Sequence, residues 1–262
     1  PAPLNQSIAS PAHCGADSGE YCAIWLGPEM PGDQRQDDAL SVCFDSGPLD
    51  QQMDIVGAPR LHLRLACDKP QGQIAGRLNH IHPDGASARI TYGVLNLSHR
   101  DSAEHPKAMT PGAATDITLD LDHIAYRIPK GHRLRVSIST AYWPLLWPAP
   151  EAAEVTLSSG HIDLPQRPTN GGDGYSFAPP TSAAPWETET LRPENHIRRQ
   201  EIDRVTGNIS LIIEDDFGKL RDADHGLIAG SIARETWTIH PDDPLSAKGS
   251  CHWTEELERD DI

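Results

Sequence analysis

The sequence predicts an all-β protein, a sandwich of antiparallel strands, and three observations carry that prediction. Several segments alternate apolar and polar residues with a period of two. Turn signals that set a φ-locked Pro just ahead of a permissive Gly separate them. No segment has a long amphipathic helical period. One apolar and one polar face per strand is the mark of antiparallel sheets with one side on the core.

Along the chain, residues 1–40 read as an irregular lead-in wrapping over a domain surface, rich in Pro, Gly and Ser and carrying the polar run Gly32 to Asp38. From Ser41 the pattern is strand-like. In Arg60-Leu61-His62-Leu63-Arg64-Leu65-Ala66-Cys67 the odd positions are apolar, and helical spacing would place arginine on the buried face. The same alternation recurs at Asp116–Asp122 and Arg133–Ser139. Lys69-Pro70-Gln71-Gly72, Pro83-Asp84-Gly85, Pro111-Gly112 and Pro129-Lys130-Gly131 supply the turns. Residues 165–185 are a long Pro/Gly/Ser-rich connection. Strands resume at 186–192, 197–205, 208–214 and 227–240, and Pro244–Ala247 is expected to start a short turn or helix. Each half alone has too few strands to close a core, so 41–262 is read as one domain.

Composition narrows the function classes. The 262 residues carry a formal charge of −16, with no stripe of Lys and Arg to meet phosphates or anionic lipid, so neither nucleic acid nor a membrane is expected as a partner. No apolar run is long enough to span a bilayer. The five cysteines (Cys14, Cys22, Cys43, Cys67, Cys251) are odd in number and lack C-x-x-C spacing, which favours free thiols in a reducing cytoplasm. Cys14 with Cys22 could pair only in an oxidising compartment. The chain opens on Pro1 and ends on Ile262, and is expected to be part of a longer one.

Few residues are candidates for chemistry. An α/β-type serine hydrolase needs G-x-S-x-G, and none is present; Gly172-Asp173-Gly174-Tyr175-Ser176 has the wrong spacing. No catalytic residue and no cofactor is expected. His80-Ile81-His82 would set two rings on one face of a strand, a spacing that can chelate zinc, with Asp84 nearby. No third ligand is identifiable, so these remain weak metal candidates and the expectation is no metal. The acidic stretches Asp215-Asp216-Phe217-Gly218 and Asp222-Ala223-Asp224-His225-Gly226 do not fit a calcium loop and are read as solvated hairpin tips. Tyr142-Trp143-Pro144-Leu145-Leu146-Trp147-Pro148 is a stiff aromatic loop. Tyr142, Trp143 and Trp147 are its candidates for binding or for docking a neighbouring domain.

An ordered set of motifs resembles the C-terminal domain of the X-Pro dipeptidyl-peptidase and cocaine-esterase group of serine hydrolases (the CocE/NonD family). It runs from Asp33-Gln34-Arg35-Gln36-Asp37-Asp38 through Ser41-Val42-Cys43-Phe44-Asp45-Ser46-Gly47-Pro48-Leu49 and Ile55-Val56-Gly57-Ala58-Pro59. It continues with Pro83-Asp84-Gly85-Ala86-Ser87 and Gly93-Val94-Leu95-Asn96-Leu97-Ser98-His99-Arg100, and ends on Ile128-Pro129-Lys130-Gly131-His132-Arg133-Leu134-Arg135 and Ser139-Thr140-Ala141-Tyr142-Trp143-Pro144. The resemblance covers residues 33–165 best. It implies a jelly roll, similar to galactose-binding domains, that packs on an α/β-hydrolase domain of the same parent chain and helps shape its active site. In that family the catalytic Ser, Asp and His precede this domain, so none carries over, and sequence beyond residue 262 is usual. Ester or amide hydrolysis by the parent rests on the resemblance alone. Self-association stays open. Two rivals remain: a carbohydrate-binding jelly-roll module using Trp143, and a zinc enzyme using His80 and His82.

Overall fold

The structure, a computed structural model, describes residues 4–21, 29–168 and 174–259. Its strands lie in several sheets, and helix is limited among the described residues to α1 (Arg35–Ala39) and a single 3-10 turn, Leu97–His99. The contacts group into two compact units where one domain over 41–262 is expected. The first comprises residues 1–167, 203–209 and 239–247, and the second 168–202, 210–238 and 248–262.

The first unit holds β1 (Gln6–Ile8), β2 (Val42–Asp45), β3 (Met53–Gly57), β4 (Arg60–Cys67), β5 (Gln73–Ile81), β6 (Ser87–Asn96), β7 (Thr115–Asp120), β8 (Ile124–Ile128), β9 (Arg133–Ser139) and β10 (Val155–Asp163). One four-stranded sheet has the order β1-β10-β4-β7, another β2-β9-β5-β6, and β3 pairs with β8. The pairings in all three are antiparallel. The predicted alternation of β4 is realised: Leu61, Leu63, Leu65 and Cys67 are buried and the residues between them are not. They meet Leu78, Leu134, Ile138 and Leu157 in one apolar core, each fully buried leucine contributing about 1.5–3 kcal/mol. Gly76 lets the two large sheets approach, since a Cβ there would lie 3.0 Å from both Leu61 and Leu119.

Strand β5 is buried along its whole length. One face supplies Ile74 and Leu78 to the core, and the other carries Arg77 and Asn79 under the lead-in. The lead-in is therefore more ordered than expected. It contributes β1 at a sheet edge and α1, whose Asp37 and Asp38 are both buried.

The second unit holds most of β11 (Thr188–Arg192), β12 (Asn195–Ile202), β13 (Ile209–Asp222), β14 (Ile228–His240) and β15 (Asp243–Glu258), with Ile209, residues 239–240 and residues 243–247 of these strands grouped in the first. They form a sheet of order β11-β13-β14-β15, with β12 also paired to β13. Pro244–Ala247 lies in β15, where extended backbone replaces the expected turn or helix. Asp215–Gly218 lies inside β13 and is no hairpin tip. Asp215 accepts from His196 at 2.8 Å, and Asp216 pairs with Arg192 at 2.9 Å. Asp222–Gly226 does form a turn, its Asp222 carboxylate accepting from the backbone of Asp224 and His225.

Candidate functional site

Three clusters of the first unit hold its chemistry-bearing side chains. The first is a buried ion network between the lead-in and β5. Arg77 is fully buried, with Nη1 3.7 Å from Asp37 and Nη2 3.5 Å from Asp38. Arg77 Nη2 also donates to Ser41 Oγ at 2.6 Å and to the Asp37 carbonyl at 3.2 Å. Asp37 accepts from the backbone N–H groups of Gly15 (2.8 Å) and Asp17 (3.2 Å). Asp38 accepts from Asn79, Ser137, Ser87 and Arg135. Burial pushes the Asp37 carboxyl up against the opposing pull of Arg77. Arg77 Nε and Asn79 Oδ1 have no hydrogen-bond partner among the described residues. Arg77 and the two carboxylates are sealed from water, so the network ties the lead-in to the sheet.

The aromatic loop lies against the same lead-in. Tyr142 and Trp143 are both 0% exposed, which corrects their candidacy as surface anchors. The backbone N–H of Trp143 donates to the Cys14 carbonyl at 2.7 Å, and Gly15 packs so close that a Cβ would sit 2.6 Å from Tyr142 backbone. Tyr142 Oη accepts from Arg89 at 2.5 Å, and burial raises its phenol to about 12. Of the three, only Trp147 keeps a large exposed area, 52%. A buried Trp143 offers no ring face to a sugar. The cavity of about 300 Å³ between the sheets is lined mainly by apolar side chains, Leu61, Leu63, Leu78, Leu134 and Leu157 among them, with Asp45, Ser46 and His161 also in its lining.

The second cluster assembles three histidines. His80 is the penultimate residue of β5, His82 leads into the Pro83-Asp84-Gly85 turn, and His132 follows the Pro129-Lys130-Gly131 turn ahead of β9. Gly131 takes φ +85°, the left-handed value that turn requires. His80 and His82 stack with ring centroids 4.1 Å apart, as same-face residues of an extended segment do. His80 Nε2 lies 2.6 Å from His132 Nδ1, and His80 Nδ1 lies 2.9 Å from Tyr126 Oη. His132 is thus the third ligand-type residue that spacing in the sequence could not identify. It is 50 positions from His82, and only the antiparallel pairing of β5 with β9, which sets Ile81 opposite Arg133, brings it there.

Burial, with the neighbouring His82 and His132, lowers His80 from 6.5 to about 4. Between those values the unfolded chain holds a proton that the folded chain refuses. Stability is therefore intact above pH 6.5 and is lost as pH falls towards 4. From pH 7 to pH 5 this residue should cost about 2 kcal/mol of unfolding free energy, read by urea titration. A His80→Phe variant should lose that part of the slope, and an unchanged slope would refute the assignment.

The third cluster is exposed on β4, β7 and β10. His62 Nδ1 lies 3.2 Å from Thr118 Oγ1, and His62 Nε2 lies 3.2 Å from Asp163. His161 stacks on His62 with centroids 4.6 Å apart. A hydroxyl, an imidazole and a carboxylate do fall in line here. They stand on an open strand face, where the neighbouring backbone N–H groups belong to sheet pairing and form no oxyanion hole. Burial raises the thiol of Cys14 to about 11, and raises Cys43 and Cys67 as well, which keeps these three from the reactive thiolate form. Cys22, and with it the pairing considered with Cys14, lies outside the described residues, as do Gly172 and Asp173.

A Mycobacterium bovis protein that carries the name of a serine esterase is 25% identical over 156 residues, covering 51% of this chain and 25% of that protein. The cocaine esterase of Rhodococcus sp. (strain MB1 Bresler) is 22% identical over 122 residues, covering 45% of this chain and 21% of the esterase. The chain thus spans about a quarter of the length of the curated relatives it matches. In fold it is similar to an α-amino acid ester hydrolase, with TM-score 0.53 and 17% identity over 63% of this chain and 33% of that one. It is also similar to an aminopeptidase from a marine sediment Thaumarchaeota archaeon, with TM-score 0.52 and 14% identity over 63% and 34%. Residues 2–185 match the X-Pro dipeptidyl-peptidase C-terminal non-catalytic domain, and the chain belongs to that family, the non-catalytic β domain of CocE/NonD-type hydrolases.

Proposed function

We propose that the parent of this chain is a serine hydrolase cleaving ester or amide bonds through a serine acyl-enzyme, of X-Pro dipeptidyl-peptidase or acyl-esterase type. In this reading the present chain is a galactose-binding-like jelly roll that packs on the α/β-hydrolase domain and helps shape its active site. The observation that carries it is the match of residues 2–185 to a domain described as non-catalytic, in relatives about four times longer than the matched stretch.

Strand order supports the jelly roll. With the β3–β8 pair set aside, the remaining strands of the first unit nest: β1 with β10, β2 with β9, β4 with β7 and β5 with β6. A long hairpin rolled up on itself pairs its strands in this way, first with last and inner with inner. The exposed ring of Trp147 is the docking candidate that remains. A reducing cytoplasm suits the buried free thiols of Cys14 and Cys67.

The purified chain should neither hydrolyse p-nitrophenyl esters nor take up a serine-directed fluorophosphonate probe. The gene segment encoding the preceding residues should contain G-x-S-x-G after a strand-like run. Stoichiometric labelling of the chain by the probe would overturn the reading.

A further inference from the structure

We propose that His80, His82 and His132 form a binding site for a divalent first-row transition ion, zinc foremost, through three imidazole nitrogens. The ligand atoms of the three lie within 4.8 Å of one another. Three imidazoles with no carboxylate or thiolate among them suit Zn²⁺, Co²⁺, Ni²⁺ or Cu²⁺ and not Ca²⁺ or Mg²⁺, which take oxygen. A water would complete a tetrahedron.

The rings sit on backbone that is already held. The N–H of His82 donates to the Ala86 carbonyl, and its own carbonyl accepts from Gly85, both at 2.9 Å. The His132 carbonyl accepts from Leu49 at 2.8 Å. His80 is 3% exposed near the end of β5. Its Nδ1 faces Tyr126 Oη at 2.9 Å, and donating that N–H to the phenol oxygen turns the Nε2 lone pair towards His132. Histidines that ligate metals characteristically give their other ring N–H to such a partner.

One distance must change. His80 Nε2 and His132 Nδ1 stand 2.6 Å apart, as two nitrogens do around a shared proton. At Zn–N of about 2.0–2.1 Å a tetrahedral ion needs them about 3.3 Å apart. Rotation of the His132 ring, half-buried at the end of a turn, supplies the difference. His132 then passes to its Nε2–H tautomer, exchanging the Nδ1 proton through solvent, and the ion takes the place that proton held. The cluster of His62, His161 and Asp163 also meets the ligand-distance condition. There His161 and Asp163 are both about two-thirds exposed on an open strand face, with side chains that no packing holds in place, so that cluster serves as the control.

The test is titration of the whole 262-residue chain with ZnCl₂ by calorimetry, and with CoCl₂ by visible absorption, at neutral pH. One equivalent should bind, with the intense visible bands of tetrahedral Co²⁺, and zinc should raise the melting temperature. Tyr126→Phe should weaken binding by about 10-fold, the lower end of what a lost ring-orienting partner costs. His82→Gln and His132→Gln, neither fully buried, should each weaken it by more than about 100-fold. His161→Gln should leave it unchanged. Should one of the two ligand variants misfold, the other decides. No stoichiometric binding, binding that survives loss of His82 or His132, or binding lost with His161 overturns the proposal.

Discussion

Replacing Arg77 by Met should destabilise the chain by about 3–5 kcal/mol, the largest loss expected from one substitution outside the apolar core. Arg77 is fully buried between two acidic side chains that are each 3% exposed. Without it, Asp37 keeps the backbone donors of Gly15 and Asp17 and stands next to Asp38, which still pairs with Arg135 at 3.1 Å. A buried carboxylate without a counter-charge either takes a proton or admits water, and both undo the contact between lead-in and sheet. The size of the loss would come from the orphaned charge and not from the missing pair. The triple variant Asp37→Asn, Arg77→Met, Asp38→Asn should therefore recover part of it. Urea unfolding of the wild type and both variants tests this. An Arg77→Met chain within about 1 kcal/mol of the wild type would mean that water reaches the site.

Trp143→Ala should cost a similar amount, about 3–5 kcal/mol, because it empties a large, fully enclosed volume beside Cys14 and Gly15. Trp147→Ala, four positions on, should cost about 1 kcal/mol or less, since half of its surface is wet. The contrast separates packing from docking. If Trp143→Ala proved as mild as Trp147→Ala, the ring would have to be accessible, and the surface role read from the sequence would return.

What was legible in the sequence followed from solvent. Strands β4 and β7 each turn a face to water, so their patterns alternate and can be read, and β9 alternates in sequence although Ser137 and Ser139 on its polar face are buried. Strand β5 has no such face, and Gln73-Ile74-Ala75-Gly76-Arg77-Leu78-Asn79-His80-Ile81 looks irregular because Arg77 and Asn79 are sealed beneath another segment of chain. The partners of those two residues were in view as the acidic pair Asp37-Asp38, but nothing local says that acids in an irregular lead-in are buried. The aromatic loop misled for the same reason, since its cover comes from residues more than a hundred positions earlier. Of the histidine cluster, spacing identified the two members that share a strand. The third belongs to the far side of a strand pairing, and no window of sequence contains it.

The union of β1 with β10 has a consequence for how the chain reaches this state. Ser7 and Thr156 face each other across 149 positions, so the first strand has no sheet edge to join until most of the first unit has been synthesised. Topologies with such distant partners collapse slowly, because the entropy of closing a long loop is lost before any contact compensates it. The residues of β1 therefore settle only once β10 is in place, and a chain lacking β1 would leave the edge of β10 bare, a template for pairing with a neighbouring molecule.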